Sequence, residues 1–184
     1  MKVYTFVALG DSLTYGYGDP GPSWPVRVDA KDAQLRLVHN AGVSGDTTAD
    51  MRARLNGDVF AYNPGVLFVM GGTNDVGHKI SASTTIANLK AIVVAAKARG
   101  ILVVLATIPP TSYPAMTDTI DALNAQIVRL ANSYAVIVAD VHKPLSGPDG
   151  LYISKYTSDG LHFSTLGTAT VAQTIFLRCQ AARF

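Results

Sequence analysis

A single cysteine, Cys179, stands in 184 residues. No intramolecular disulfide can form, and no cysteine cluster exists to hold zinc or an iron–sulfur centre. Cys179 itself reads as a small apolar residue on the terminal helix. The four histidines show no H-E-x-x-H or comparable metal spacing, and there is no Walker A run and no G-x-S-x-G elbow. These absences point away from metal chemistry and organic cofactors. Charge is sparse too: 15 Lys and Arg against 13 Asp and Glu give a net +2. The basic residues are scattered, so nucleic acid is not expected as a partner.

Long apolar runs are also missing. Ala91 to Ala96 and Ile101 to Ala106 are separated by Lys97, Arg99 and Gly100, so neither reaches the length of a membrane span. At the start, Met1-Lys2 precedes an apolar stretch that stops at Gly10-Asp11-Ser12 with no clear A-x-A-like cleavage site. It reads as a first core strand, not as a signal peptide. A cytoplasmic location is then the default expectation; a chain trimmed to a mature start would look the same, so a secreted or periplasmic one stays open.

What is present is an apolar chain, 48% hydrophobic, of a size that buries roughly 70% of its unfolded surface. It is expected to form one domain over residues 1–184. Four segments rich in branched residues stand out as strands: Val3 to Leu9, Val66 to Met70, Ile101 to Thr107 and Val136 to Ala139. A weaker one runs from Leu35 to Val38. Continuous apolar strands suit a parallel sheet covered on both faces.

Helical spacing lies between them. Thr84 to Arg99 puts Ile86, Leu89, Ile92, Val93 and Ala96 on one face and stops at Gly100. Thr119 to Tyr134 follows Asp118 as a plausible N-cap, Thr165 to about Ala181 follows Ser164, and a further helix is expected after Thr47. Strand and helix alternate throughout, which implies a three-layer α/β domain with right-handed crossovers. Asp19 to Pro25, Pro109 to Pro114 and Pro144 to Gly150 read as loops.

Ligands gather at the carboxyl ends of strands in such a sheet. Ser12, Ser44-Gly45-Asp46, Gly71-Gly72-Thr73-Asn74-Asp75, Pro109 to Met116, and Asp159 with His162 all fall there. Gly16-x-Gly18-x-x-Gly21 has dinucleotide-loop lettering. Its glycines begin well past the strand end, prolines flank the third, and His39-Asn40 stands where a ribose-binding acid would be needed. Ser12 as nucleophile fits better. It needs a base, a group to orient the base, and donors for the oxyanion. His162 can be the base and Asp159, folding back through Gly160, its orienter. The N–H groups of Ser12 and Gly45 and the Asn74 amide can converge on one oxygen.

The blocks Gly10-Asp11-Ser12-Leu13, Asn40-Ala41-Gly42-Val43-Ser44-Gly45-Asp46, Gly71-Gly72-Thr73-Asn74-Asp75 and Asp159-Gly160-Leu161-His162 resemble, in order, the four motif blocks of the SGNH hydrolases, or GDSL esterases and lipases. The overall compactness looks most like the small bacterial thioesterase I, lysophospholipase and arylesterase members. The resemblance implies a flavodoxin-like fold with a central five-stranded parallel sheet. It also implies a Ser12, Asp159, His162 triad, an oxyanion hole of Ser12, Gly45 and Asn74, and a small-molecule ester as substrate without metal or cofactor. Phe163 departs from the family, where proline or a smaller residue is common, and leaves the shape of the neighbouring pocket open.

The expected activity is hydrolysis of short-chain or aryl esters. Thioesters, lysophospholipids, O-acetylated sugars and acyl transfer use the same machinery, and a non-catalytic carbohydrate- or lipid-binding relative is the alternative of another class. Oligomeric state is not read from the chain. Ser12 could instead cap a helix, Asp11 and Asp75 read as turn and scaffold residues, and Asp46 either supports the Gly45 loop or caps the next helix. His39, His78 and His142 read as surface or loop residues. Among Tyr15, Tyr17, Trp24, Tyr113, Tyr152, Tyr156 and Phe163, several lie in loops at the expected active edge. Tyr15, Tyr113, Tyr156 and Phe163 are the candidate pocket lining.

Overall fold

The computed structural model of the chain describes residues 3–182. Met1 and Lys2, on which the signal-peptide reading partly rests, lie outside them. Five strands, β1 (Tyr4–Gly10), β2 (Leu35–Gly42), β3 (Val66–Met70), β4 (Leu102–Ala106) and β5 (Ile137–Ala139), form one sheet in the order β2-β1-β3-β4-β5. Every neighbouring pair is parallel, with one register irregularity between Phe6 and Val7 against β2. The helices are α1 (Ser12–Tyr15), α2 (Trp24–Lys31), α3 (Thr48–Ala53), α4 (Leu55–Asp58), α5 (Thr73–Gly77), α6 (Ala82–Lys97), α7 (Pro114–Ser133) and α8 (Thr165–Ala182).

The two-residue period of the strands divides the core. Val7, Leu9, Leu67, Val69, Val103 and Leu105 pack on one face with Met51 of α3, Leu89, Ile92 and Val93 of α6, and Leu123 and Ile127 of α7. Phe6, Ala8, Val66, Phe68 and Val104 point the other way, against Trp24 and Val28 of α2 and Val171, Ile175 and Cys179 of α8. Each such apolar side chain contributes about 1.5–3 kcal/mol through its removal from water. The result is three layers, α/β/α, as the alternation of elements implies.

Where the structure departs from the sequence reading, local causes are visible. β2 continues four residues beyond Val38 to Gly42. It is an edge strand with most of its side chains half-exposed, so its polar end lacks the apolar signature. In α7, Pro114 occupies the first turn and Tyr113 the N-cap, so Asp118 is an interior residue and not the cap. Proline suits that place because it has no N–H to leave unpaired and its φ is already helical. The Asp19 to Pro25 segment is not loop throughout, for Ser23 precedes α2 and Pro25 lies in its first turn. Thr47 caps α3 in a reciprocal capping box with Asp50. The Ser164 hydroxyl accepts the Gly167 N–H at 3.2 Å, which is the expected cap of α8.

Order 2-1-3-4-5 places the reversal of chain direction across the sheet between β1 and β3. A crevice at the carboxyl ends of these two strands follows from that topology. Asp11 to Ser12 leave β1 there, Gly45 follows β2, and Asn74 follows β3.

Candidate active site

Asp11 caps α1, accepting the Leu13 N–H at 2.9 Å, and Ser12 is the first residue of that helix. The chain can turn this tightly because of Gly42, at the end of β2. A Cβ there would stand 2.1 Å from the Tyr15 nitrogen, so the α1 backbone rests directly on β2. Asn40 fastens the same contact. Its amide donates to the Thr14 carbonyl at 3.0 Å and to the Ser23 hydroxyl at 3.2 Å.

Asp159 and His162 arrive from the loop before α8. His162 Nε2 lies 3.1 Å from Ser12 Oγ, and His162 Nδ1 lies 2.7 Å from Asp159 Oδ2. The other carboxylate oxygen of Asp159 accepts the backbone N–H of Leu161 at 2.9 Å and of His162 at 2.7 Å. Gly160, with φ of +88°, permits this fold-back, and its carbonyl accepts the Ser112 N–H at 2.8 Å. The His162 carbonyl accepts the Thr157 hydroxyl at 2.7 Å and the Ser158 N–H at 3.0 Å. Partial burial works against a charge on Asp159. The hydrogen bonds from the His162 ring and backbone and from Leu161 outweigh it, holding the pKa down at about 2.

The opposite wall holds the hydrogen-bond donors. Asn74 Nδ2 donates to the Asp46 carbonyl at 2.8 Å, and a primary amide retains a second N–H beyond that bond. Gly45 has φ of +87°, and the space where its Cβ would stand is open to 4 Å. Among the loop and cap hydrogen bonds of the described residues, none is donated by the Ser12 or Gly45 N–H. The Asp46 carboxylate accepts Arg54 Nε at 2.6 Å and so braces the Gly45 loop, while Thr47 does the capping. Asp75 is fully buried, accepting the Thr48 N–H at 2.9 Å and the hydroxyls of Thr48 at 2.5 Å and Thr85 at 3.0 Å. It is a scaffold residue, as read.

Asp11 is buried and, among the described residues, has no cationic partner in an ion pair. Burial is the main cause that raises its pKa to about 7; backbone N–H groups of Leu13 and Asp11 pull the other way, and the charges of Asp46 and Asp75 add to the rise.

The aromatic residues divide sharply. Tyr15 and Tyr113 are exposed, and Tyr156 is half-buried with Lys155 Nζ 4.9 Å from its ring centre. Phe163 is different, only 2% exposed within the α8 side of the core, and it is not brought to the site surface as the sequence reading expected. Trp24 packs edge-on against Phe68 at 6.1 Å, and Tyr152 is buried with its hydroxyl donating to the Leu161 carbonyl at 3.3 Å. Tyr17 carries more than its place in the aromatic set implied: its ring centre lies 4.6 Å from that of His162. His39 stacks on Tyr62 at 4.3 Å, and His142 Nδ1 lies 3.0 Å from the Ser146 hydroxyl. Among the described residues, no group of His, Cys, Asp and Glu is placed to hold a metal ion, and no helix is long and apolar enough to cross a membrane.

Comparison with known proteins decides the family. The sequence pattern of the GDSL-like lipase/acylhydrolase family matches residues 8–169. The chain belongs to this family. Solved structures of GDSL proteins agree with that membership. The lipase/acylhydrolase from Enterococcus faecalis is 26% identical, with a TM-score of 0.84 over 99% of this chain and 97% of that one. A protein assigned to the G-D-S-L lipolytic family from Desulfitobacterium hafniense DCB-2 is 27% identical, with a TM-score of 0.85 over 95% of this chain and 98% of that one. Axe2, an acetylxylan esterase from Geobacillus stearothermophilus, shares the fold at 21% identity and a TM-score of 0.81, covering 97% of this chain and 95% of that one. An uncharacterized lipoprotein, YqeF, from Bacillus subtilis (strain 168) is 38% identical over 76 residues, a match that spans 38% of the GDSL chain and 31% of the lipoprotein.

Proposed function

We propose that this GDSL protein is a serine esterase that hydrolyses carboxylic esters through an acyl-enzyme on Ser12. The observation that carries the reading is the Asp159–His162–Ser12 line of contacts, 2.7 Å and 3.1 Å, at the carboxyl end of β1. Asp159 is ionised at neutral pH and accepts the Nδ1 proton, which leaves Nε2 as the acceptor facing the Ser12 hydroxyl.

His162 takes the Ser12 proton as Oγ attacks the ester carbonyl, and the ring becomes imidazolium beside the Asp159 charge. The carbonyl oxygen, now negative, receives hydrogen bonds from the Ser12 and Gly45 N–H groups and the second N–H of Asn74. The C–O bond to the alcohol then breaks. His162 passes its proton to the leaving oxygen, and the acyl group stays on Ser12. A water molecule gives its proton to His162, attacks the acyl carbon and releases the acid, and the imidazolium returns its proton to Ser12. The rim of Tyr15, Tyr17 and Tyr113, each about half-exposed, presents flat apolar faces with polar tips and suits aryl or other compact leaving groups on short acyl chains.

The experiment is active-site labelling with a fluorophosphonate, alongside hydrolysis of p-nitrophenyl acetate and butyrate. Wild type is expected to label and turn over, and Ser12→Ala to do neither. Undiminished labelling of Ser12→Ala would remove Ser12 as the nucleophile. A screen across thioesters, lysophospholipid and acetylated xylan fixes the substrate class.

A further inference from the structure

We propose that Arg54, on the turn between α3 and α4, is a positioning residue that fixes the oxyanion hole by tying three chain segments to one guanidinium. The proposal rests on the serine-esterase reading of the site. It concerns a residue outside the four motif blocks and distant in role from the triad.

An arginine offers five N–H donors in one rigid plane. Arg54 points them at targets that converge on the site. Its Nη2 donates to the Gly10 carbonyl at 2.9 Å and to the Ala41 carbonyl at 2.7 Å. These carbonyls lie at the carboxyl ends of β1 and β2, just before Ser12 and the Gly45 loop. Its Nε donates to the Asp46 carboxylate at 2.6 Å, next to Gly45. The Asp46 carbonyl in turn accepts Asn74 Nδ2 at 2.8 Å. Each of the three oxyanion donors is therefore joined to the same guanidinium, Ser12 and Gly45 through a few bonds of backbone and Asn74 through one further hydrogen bond. The Gly10 carbonyl also accepts the Val43 N–H at 3.1 Å, which closes β1 against the loop from the other side.

Charge balance alone does not call for this arrangement. Asp58 accepts Arg54 Nη1 at 2.8 Å, an (i, i+4) pair on the outer side. The side chains of Arg54 and Asp46 are only 18% and 13% exposed, against 37% for Asp58. The inner contacts are thus the sheltered ones, where directional hydrogen bonds hold geometry best. A lysine has three donors on one point charge and cannot span two carbonyls and a carboxylate in one plane.

An oxyanion hole works because its donors are already in place when charge develops. Misplacement of about 1 Å can cost about a hundredfold in rate. Loosening Arg54 should then lower turnover and leave substrate binding nearly untouched.

The test measures kcat and KM on p-nitrophenyl butyrate, and the inhibition constant of an aryl boronic acid, whose tetrahedral adduct on serine mimics the intermediate. Arg54→Ala is expected to lose at least about thirtyfold in kcat with KM changed by less than about twofold, and to weaken boronate inhibition by a similar factor. Added guanidinium chloride at tens of millimolar should restore part of the lost turnover, and sodium chloride at equal ionic strength should not. Arg54→Lys should stay impaired, while Asp58→Asn should remain close to wild type. Arg54→Ala within about threefold of wild type in kcat, a loss confined to KM, or equal losses in Arg54→Ala and Asp58→Asn would overturn the proposal. If circular dichroism finds Arg54→Ala unfolded, Arg54→Lys and Asp46→Asn are judged by the same criteria. Ser12→Ala runs beside them. Full activity there would sink the esterase reading itself, a result distinct from failure of the Arg54 proposal.

Discussion

The two halves of the site are built in different ways. On the β1, β2 and β3 side, Ser12, Gly45 and Asn74 stand on segments held by sheltered side chains: Arg54 across two strand ends and Asp46, and Asp75 against Thr48 and Thr85. On the α8 side, Asp159 and His162 orient each other within four residues, and their loop is held locally, by the neighbouring Thr157 hydroxyl and by backbone contacts to Ser158 and Ser112. Half of the Asp159 side chain is exposed. The difference fits the two tasks that the proposed mechanism assigns. Donors for a developing charge must be fixed from several parts of the chain at once, whereas a base needs only one neighbour to choose its tautomer.

The comparison can be broken from either side. The largest effect is expected on the base side. Asp159→Asn should lower kcat by roughly 10³- to 10⁴-fold, as loss of the tautomer-setting acid does in triads, with thermal stability little changed because the residue is surface-lying. Because Asp159 keeps its charge down to about pH 2, loss of this carboxylate should cut activity only in strong acid, and a rate that falls with a midpoint near the ordinary carboxylate value would contradict its hydrogen-bonded, ionised state.

Next comes the donor side. Asn74→Ala should cost about a hundredfold or more in kcat. A loss under about threefold would relegate Asn74 to its bond with Asp46.

The last effect is on stability and not on rate, and its sign is specific. Asp11 has a folded-state pKa of about 7 against an ordinary 3.8, raised mainly by burial. The folded protein therefore holds this proton more tightly than the unfolded chain does. The stabilisation is complete below about pH 4 and is lost as pH rises through 7, up to roughly 4 kcal/mol in all. Asp11→Asn keeps the acceptor for Leu13 and removes that dependence. Urea unfolding at pH 5 and pH 8 should show the variant gaining on wild type at the higher pH; a constant difference would refute the linkage.

The same contrast explains what the sequence made legible. Asp159 and His162 lie in one short block, and Ser12 sits at the end of an apolar run, so chemistry and position coincide in the chain. The sheet was readable because β1, β3 and β4 are buried on both faces and spell themselves in branched residues. Arg54 was not readable: an arginine in the helix expected after Thr47 looks like a solvated charge until two distant strand ends are folded beside it. Nor was the fate of the aromatics. Tyr17 and Phe163 both neighbour a motif block, yet one lies across the His162 ring and the other faces the core. Pro22-Ser23-Trp24-Pro25 read as a loop because prolines mark turns; here the second one opens a helix, and Trp24 carries that helix onto Phe68.

Gly42 has a consequence for anyone wishing to change what the protein acts on. With main chain resting on main chain at Tyr15, no repacking of neighbouring side chains can absorb even a methyl group there, so this part of the floor is closed to redesign. The rings of Tyr15 and Tyr113 are instead exposed side chains. On the proposed reading, a library that randomises Tyr15 and Tyr113, and leaves Gly42 and the His162-stacked Tyr17 alone, would probe the choice of ester while the bond-breaking parts stay as they are.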